Sequence, residues 1–243
     1  MNDSDHVWLA EQQVNPSIEW PVGWQLWYVD ETGSTNLDLL AAATAGAPER
    51  TVLRTDHQTA GRGRLDRRWD APPGSNLLVS ILFRNVPPDS TQLTQRIALS
   101  ASAAVRAISN AAPVLKWPND LLLDGRKLGG ILAQRTSDGC VVVGLGLNIG
   151  WAPDGAARLE TTARPAAVLA ELLRAFDGLP GDTHELYRRA LATLGQPVTV
   201  AMSTGILTGT AVDVERDGRL VVLDHCAVTH RVDVGDIVHL RTT

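Results

Sequence analysis

A chain of 243 residues, 44% hydrophobic and 20% charged, can bury the core of one good-sized domain or of a larger domain with a small one beside it. Its net charge of −5 argues against bulk affinity for nucleic acid or anionic membrane, so any anion must be held by a local patch. No segment approaches the roughly 18 apolar residues of a membrane span, and MNDSDHVWLAEQQ lacks the basic and apolar regions of a secretion signal. A cytoplasmic protein is expected, with Cys140 and Cys226 as buried free thiols.

Residues 1–22 are polar, broken by Pro16 and Pro21, and read as a loosely ordered extension. WQLWYV (24–29) alternates as a strand, and Ser34 and Thr35 offer N-caps to an alanine-rich helix ending at Gly46. A short β-branched strand over 51–55 leads into GRGRLDRRW (61–69). NLLVSILFR (76–84) is a near-continuous apolar strand, and Asp89 or Ser90 caps a helix reaching about Asn110. Asp124-Gly125 marks a tight turn, so 116–135 reads as a hairpin with CVVVGLGLN as the next strand. RPAAVLAELLRAF and THELYRRALATL are amphipathic helices; five short strands after Gly195-Gln-Pro197 then suggest a small β-barrel. The plan is an extension (1–22), an α+β domain (23–194) and an all-β module (195–243). Hairpins in place of regular βαβ units argue against a doubly wound fold.

Several chemistries are excluded directly. GRGRLD and GLGLNI both lack the third glycine of a dinucleotide fingerprint, and GxxxxGK[ST], HExxH, CxxC and GxSxG are absent. Three features remain. The arginine-rich stretch 61–69 can hold a phosphate, a nucleic-acid backbone or a carboxylate, or can simply be solvated, and its glycines let backbone N–H groups approach an anion. Trp69 can cover a flat heterocycle or simply pack. In KWPND the proline presents Lys116, Asn119 and Asp120 in a set geometry suited to a nucleotide phosphate and its Mg²⁺. The 22 basic residues include only two lysines, Lys116 and Lys127, which points to sites that need a compact, mobile ammonium. Finally, Gly129-Gly130 and Gly144, Gly146 strip neighbouring strands of side chains, as the floor of a ligand slot would be.

Together GSTN (33–36), HQTAGRGRLDRRW (57–69), KWPNDLLLDGRKLGGIL (116–132) and GLGLNIG (144–150) resemble the biotin protein ligases, in order and across the whole α+β region. The resemblance implies a mixed, largely antiparallel sheet with flanking helices, of the class II aminoacyl-tRNA synthetase/biotin ligase type, and an SH3-like C-terminal β-barrel. It also implies ATP-dependent biotinylation of a lysine on a biotin carboxyl carrier domain through biotinyl-5′-adenylate. Biotin, ATP and Mg²⁺ are the implied small molecules, with no separate protein metal site. The family loop usually reads GRGRxGRxW; here Asp66 replaces the middle glycine, which implies a stiffer and less positive loop.

By the same resemblance, Ser34, Thr35, Asn36, Gln58, Gly61, Arg62, Lys127, Gly130 and Gly144 form the biotin site. Arg62, Arg64 and Arg67 clamp carboxylate and phosphates, while Trp69 and Asn148 face the adenine. Lys116, Asn119 and Asp120 serve ATP, the cation and the incoming lysine; Lys127, Asp120, Arg64 and Lys116 are the implied catalytic set. About 22 residues precede the pattern, too few for a DNA-binding domain, so a monofunctional ligase without nucleic-acid or membrane partners is expected, monomeric or weakly dimeric when loaded. Residues 61–69 are expected to be mobile without ligand. A lipoate or octanoate transferase of related fold is the nearer alternative; a nucleic-acid-binding module is the more distant one.

Overall fold

The computed structural model describes residues 9–202, 205–233 and 236–239. Its main sheet carries a different layer on each face. On the larger side, α3 (Thr91–Ile108) and α4 (Pro165–Gly178) cover Leu77, Val79, Ile81 and Phe83 of β4 (Leu77–Phe83) and Val141, Val143, Leu145 and Leu147 of β8 (Val141–Leu147). On the other side, α2 (Thr35–Thr44) covers only Leu82, Val142 and their neighbours. Burial on both faces explains why NLLVSILFR reads as a continuous apolar run rather than an alternating one.

The remaining strands of this sheet are β1 (Leu9–Ala10), β2 (Gln25–Thr32), β3 (Thr51–Gln58), β5 (Val114–Lys116), β6 (Asp120–Leu123) and β7 (Arg126–Arg135). Their order is β1-β2-β3-β4-β8-β7-β6-β5. Only β2 and β3 run parallel, with α2 as their crossover; the other neighbours are antiparallel. The β6–β7 turn puts Asp124 (φ 50°) and Gly125 (φ 73°) in the left-handed region, the backbone that an Asp-Gly hairpin turn requires.

The C-terminal strands are β9 (Pro197–Met202), β10 (Gly205–Val214), β11 (Leu220–Leu223), β12 (Thr229–Val232) and β13 (Asp236–His239). They form a separate antiparallel sheet in the order β12-β11-β10-β9-β13. The fold class is the one read from the sequence: a mixed, largely antiparallel sheet with flanking helices, and a small all-β C-terminal unit. The Trp117 indole N–H joins the two by donating to Gly218 O (2.8 Å).

Three local expectations are corrected. The helix read over THELYRRALATL stops early, as α5 (His184–Ala190), because Leu191 bridges to Leu115 and the Ala192 N–H donates to Leu115 O (2.8 Å). Cys140 is buried, but Cys226 is exposed at the tip of a tight turn closed on Asp224. Part of the extension is also well tied down. Leu9 and Ala10 pair with Tyr28 and Trp27, and the helical turn α1 (Glu11–Val14) buries Glu11 completely.

The Glu11 carboxylate accepts from Arg54 Nε (2.9 Å) and Asn15 Nδ2 (2.6 Å), while Arg54 Nη1 bonds Asp56 (2.6 Å). Burial raises the Glu11 carboxyl above its ordinary value, against the opposing pull of Arg54. Removing the cation leaves a buried carboxylate without its partner. Arg54→Met should therefore lower unfolding stability by about 3–5 kcal/mol, read from urea denaturation; a change under about 1 kcal/mol would mean that the network is not stabilising.

Candidate active site

The period of two along β8 builds the floor of the site. Val142, Gly144 and Gly146 share the α2 face, and only Val142 lies under the helix core. Across the strands, Leu78, Gly146, Gly130 and Asp120 stand in one row, and Ser80, Gly144 and Leu132 in the next. The result is a cavity of about 340 Å³ over bare backbone, beside α2. A methyl group at Gly144 would overlap Asn36 Oδ1, and one at Gly146 would overlap the Trp69 indole. At Gly130 it would come within 3.2 Å of both Lys127 Nζ and the Trp69 ring.

The arginine loop forms the roof. Its backbone closes as a miniature hairpin: the Gly63 N–H donates to Arg67 O (2.7 Å), Trp69 N–H to Gly61 O (3.0 Å), and Arg62 bridges to Arg68. A single 3-10 turn, Arg64–Asp66, forms the tip, and Leu65 supplies its left-handed residue (φ 55°). Gly61 is buried beneath the loop, where a Cβ would overlap the Trp69 carbonyl oxygen. The sequence suggested a stretch with few backbone constraints; instead these bonds and the seating of Trp69 on Gly146 offset part of its ordering entropy.

Arg62, Arg64, Arg67 and Arg68 all line the cavity. Arg64 Nη1 reaches Asn119 Oδ1 at 3.5 Å, while Arg68 turns outward to Asp70 (3.2 Å). Lys127 Nζ lies 2.6 Å from Asp120 Oδ1 and 5.5 Å from the Trp69 ring centroid. Lys116 stands opposite Asp120 in the β5–β6 register and also lines the cavity. Asn119 Nδ2 donates to Ile131 O (2.7 Å), which anchors the KWPND corner to β7.

At the start of α2, Ser34 lines the cavity and its hydroxyl makes no capping bond. The Thr35 N–H and hydroxyl approach Gln58 Oε1 at 2.9 and 3.1 Å. Every sequence-derived site residue except Gly61 lines the cavity. Besides Asn119, both Asn36 and Asn148 have their amides engaged within the protein. Asn36 Nδ2 donates to Leu132 O (3.1 Å) and Gln134 Oε1 (2.8 Å), and Asn148 Nδ2 donates to Ala157 O (2.9 Å) while its Oδ1 accepts from Asn76 (3.3 Å). The sequence reading overlooked Trp117 and Leu132 as lining residues and Ser80 behind the wall, a fully buried serine in an apolar strand. Its signal was present: a buried polar group must find partners.

The Biotin/lipoate A/B protein ligase family matches residues 30–148, and the Biotin protein ligase C terminal domain matches residues 193–240. The biotin–[acetyl-CoA-carboxylase] ligase of Mycobacterium tuberculosis is 37% identical over 243 residues, covering 90% of this chain and 91% of that protein. This chain belongs to the biotin protein ligase family. The ligase superposes on the biotin protein ligase from Aquifex aeolicus in complex with biotin and ATP with a TM-score of 0.75 at 25% identity, covering 89% of this chain and 99% of that one. It is also 35% identical over 156 residues to the bifunctional ligase/repressor BirA of Bacillus subtilis, 60% of this chain but 47% of that protein. The C-terminal match bears on the alternative reading, since it is to a domain named for biotin protein ligases.

Proposed function

We propose that this cleft carries out both halves of an ATP-dependent biotinylation, with the carboxyl group of biotin activated as biotinyl-5′-adenylate and then passed to a lysine on a biotin carboxyl carrier domain. The observation that carries the reading is the Lys127–Asp120 pair, 2.6 Å apart, beside a floor of glycines and under a loop of arginines. In the first half, a biotin carboxylate oxygen attacks the α-phosphorus and pyrophosphate leaves. Both reactants are anionic, so the site must supply positive charge where they meet. Arg62, Arg64 and Arg67 line the cavity from the roof and Lys127 projects from the floor. Lys127 follows the carboxyl–phosphate bond as it forms, and Lys116 attends the leaving phosphates. Ser34, Thr35, Gln58, Gly130 and Gly144 receive biotin, and Trp69 covers the nucleotide. Asn36 and Asn148, whose amides are engaged internally, hold the walls.

In the second half, the acceptor amine attacks the acyl carbon, loses a proton, and AMP departs. Asp120 is the carboxylate placed to orient the amine and take that proton once Lys127 has turned to the phosphate. Asp120→Asn should leave pyrophosphate exchange within a few-fold of normal and slow transfer to the carrier by about 100-fold, measured in separate half-reactions. Equal losses in both would assign Asp120 to nucleotide binding.

Among the described residues no group of three or more His, Cys, Asp or Glu side chains converges. Asn119 and Asp120 would help to hold Mg²⁺ carried in by the nucleotide phosphates, since Mg²⁺ at nucleotide sites is held by one or two carboxylates plus phosphate oxygens, and the ion would offset phosphate charge. The reading includes a cytoplasmic setting; among the described residues no helix is long and apolar enough to cross a membrane. The reading includes a monomer, or a weak dimer when loaded, without a nucleic-acid partner. Biotin-dependent exchange of labelled pyrophosphate into ATP tests the first half: exchange is expected, and its absence in protein that binds both substrates would overturn the assignment.

A further inference from the structure

Behind the biotin wall runs a chain of hydrogen bonds with a fixed direction. Asn36 Nδ2 donates to the Leu132 carbonyl, an oxygen that can only accept, so the Asn36 amide orientation is set and Oδ1 faces Ser80. Ser80 Oγ, fully buried and 2.6 Å from that oxygen, must therefore donate to it. Thr35 Oγ1 lies 2.7 Å from Ser80 Oγ, and two oxygens cannot approach so closely in a buried place without a proton between them. Thr35 has one proton, and Ser80 requires it; the longer approach to Gln58 Oε1, at 3.1 Å, is left without one. Gln58 Oε1 is instead held by the Thr35 backbone N–H (2.9 Å), which turns its NH₂ group away from Thr35.

We propose that Ser80 is a positioning residue that sets the donor–acceptor polarity of the ligand pocket: by taking the Thr35 proton it makes the Thr35 hydroxyl an obligate acceptor toward the ligand. The proposal rests on the assignment of Thr35 and Gln58 to the biotin site. The ureido ring of biotin offers the complement, N–H donors flanking a carbonyl acceptor. An analogue with a ring oxygen in place of one N–H presents lone pairs to the Thr35 lone pairs. Because the Thr35 hydroxyl can reverse only by breaking the buried chain through Ser80 to Asn36, the pocket rejects that analogue. Without Ser80 the hydroxyl turns freely and donates to it.

The test is binding, by calorimetry, of biotin and of its two ring carbamates, each with one ureido N–H replaced by oxygen. Wild-type protein should prefer biotin to at least one carbamate by about 100-fold or more, since a site built to receive a donor leaves its own acceptor unpaired without one. In Ser80→Ala the preference should fall at least about tenfold, with ATP affinity unchanged. Ser80→Cys, close in size but a weak hydrogen-bonding group, should show the same loss and serves if the alanine variant does not fold. A preference unaltered in a folded Ser80 variant overturns the relay, as does a wild type that binds biotin and both carbamates alike. Thr35→Val separates the underlying assignment: unchanged biotin affinity in that variant would mean that Thr35 does not contact the ligand at all.

Discussion

Lys127→Arg should lower biotin-dependent pyrophosphate exchange by about 100- to 1000-fold, although the charge is kept. The ammonium is confined on three sides: Asp120 Oδ1 at 2.6 Å, the Gly130 backbone beneath it, and the Trp69 ring with its centroid at 5.5 Å. A guanidinium is wider, planar and forked, so it fits that corner only by displacing Trp69 or breaking the pair with Asp120. It would then sit to one side of the point where carboxylate and phosphate meet, and misplacement of about 1 Å is enough to lose two orders of magnitude. The rarity of lysine in this arginine-rich chain points the same way, since both lysines line one cavity. Near-normal exchange by the variant would remove Lys127 from the chemistry and with it the argument from lysine scarcity.

Gly61→Ala should open the roof. The added methyl overlaps the Trp69 carbonyl oxygen, an atom of backbone that cannot swing aside as a side chain can. Relief requires parting the Trp69 N–H to Gly61 O bond that closes the hairpin, and this draws Trp69 off Gly146. We expect trypsin to cut the variant at Arg62, Arg64, Arg67 or Arg68 at least about tenfold faster than wild type, since a protease needs a locally opened chain. Exchange should fall by about 100-fold, because the arginines lose their fixed positions over the floor. In the wild type, biotin with MgATP should slow the same cut. A variant that resists trypsin as the wild type does would show that the loop does not depend on Gly61 for its closed form.

Much of this site is legible in the sequence because it is written in local patterns. The period of two places Gly144 and Gly146 on one face, Asp124-Gly125 fixes the hairpin that carries Lys127 and Asp120, and a proline sets the KWPND corner. What is not legible depends on partners distant along the chain. Whether the Asn36 amide faces ligand or protein is decided by Leu132 and Gln134, nearly a hundred residues away. Asn148 is turned inward by Asn76, 72 residues before it, together with the nearby Ala157. Glu11 reads as part of a loose polar tail until Arg54 is seen to stand beside it. The end of α5 is likewise set by Leu115, which captures Leu191 and Ala192 in an extended backbone where helical periodicity alone would continue the helix.

The central claim is that one cleft both activates biotin and delivers it to a carrier lysine. The most direct measurement is the mass of a biotin carboxyl carrier domain after incubation with this protein, biotin and MgATP. One biotinyl group on a single lysine is expected, with an unchanged carrier when either biotin or ATP is left out. A carrier that stays unmodified in the presence of protein shown to bind both substrates, or that gains an octanoyl or lipoyl group but no biotinyl group when those acids are supplied together, would contradict it.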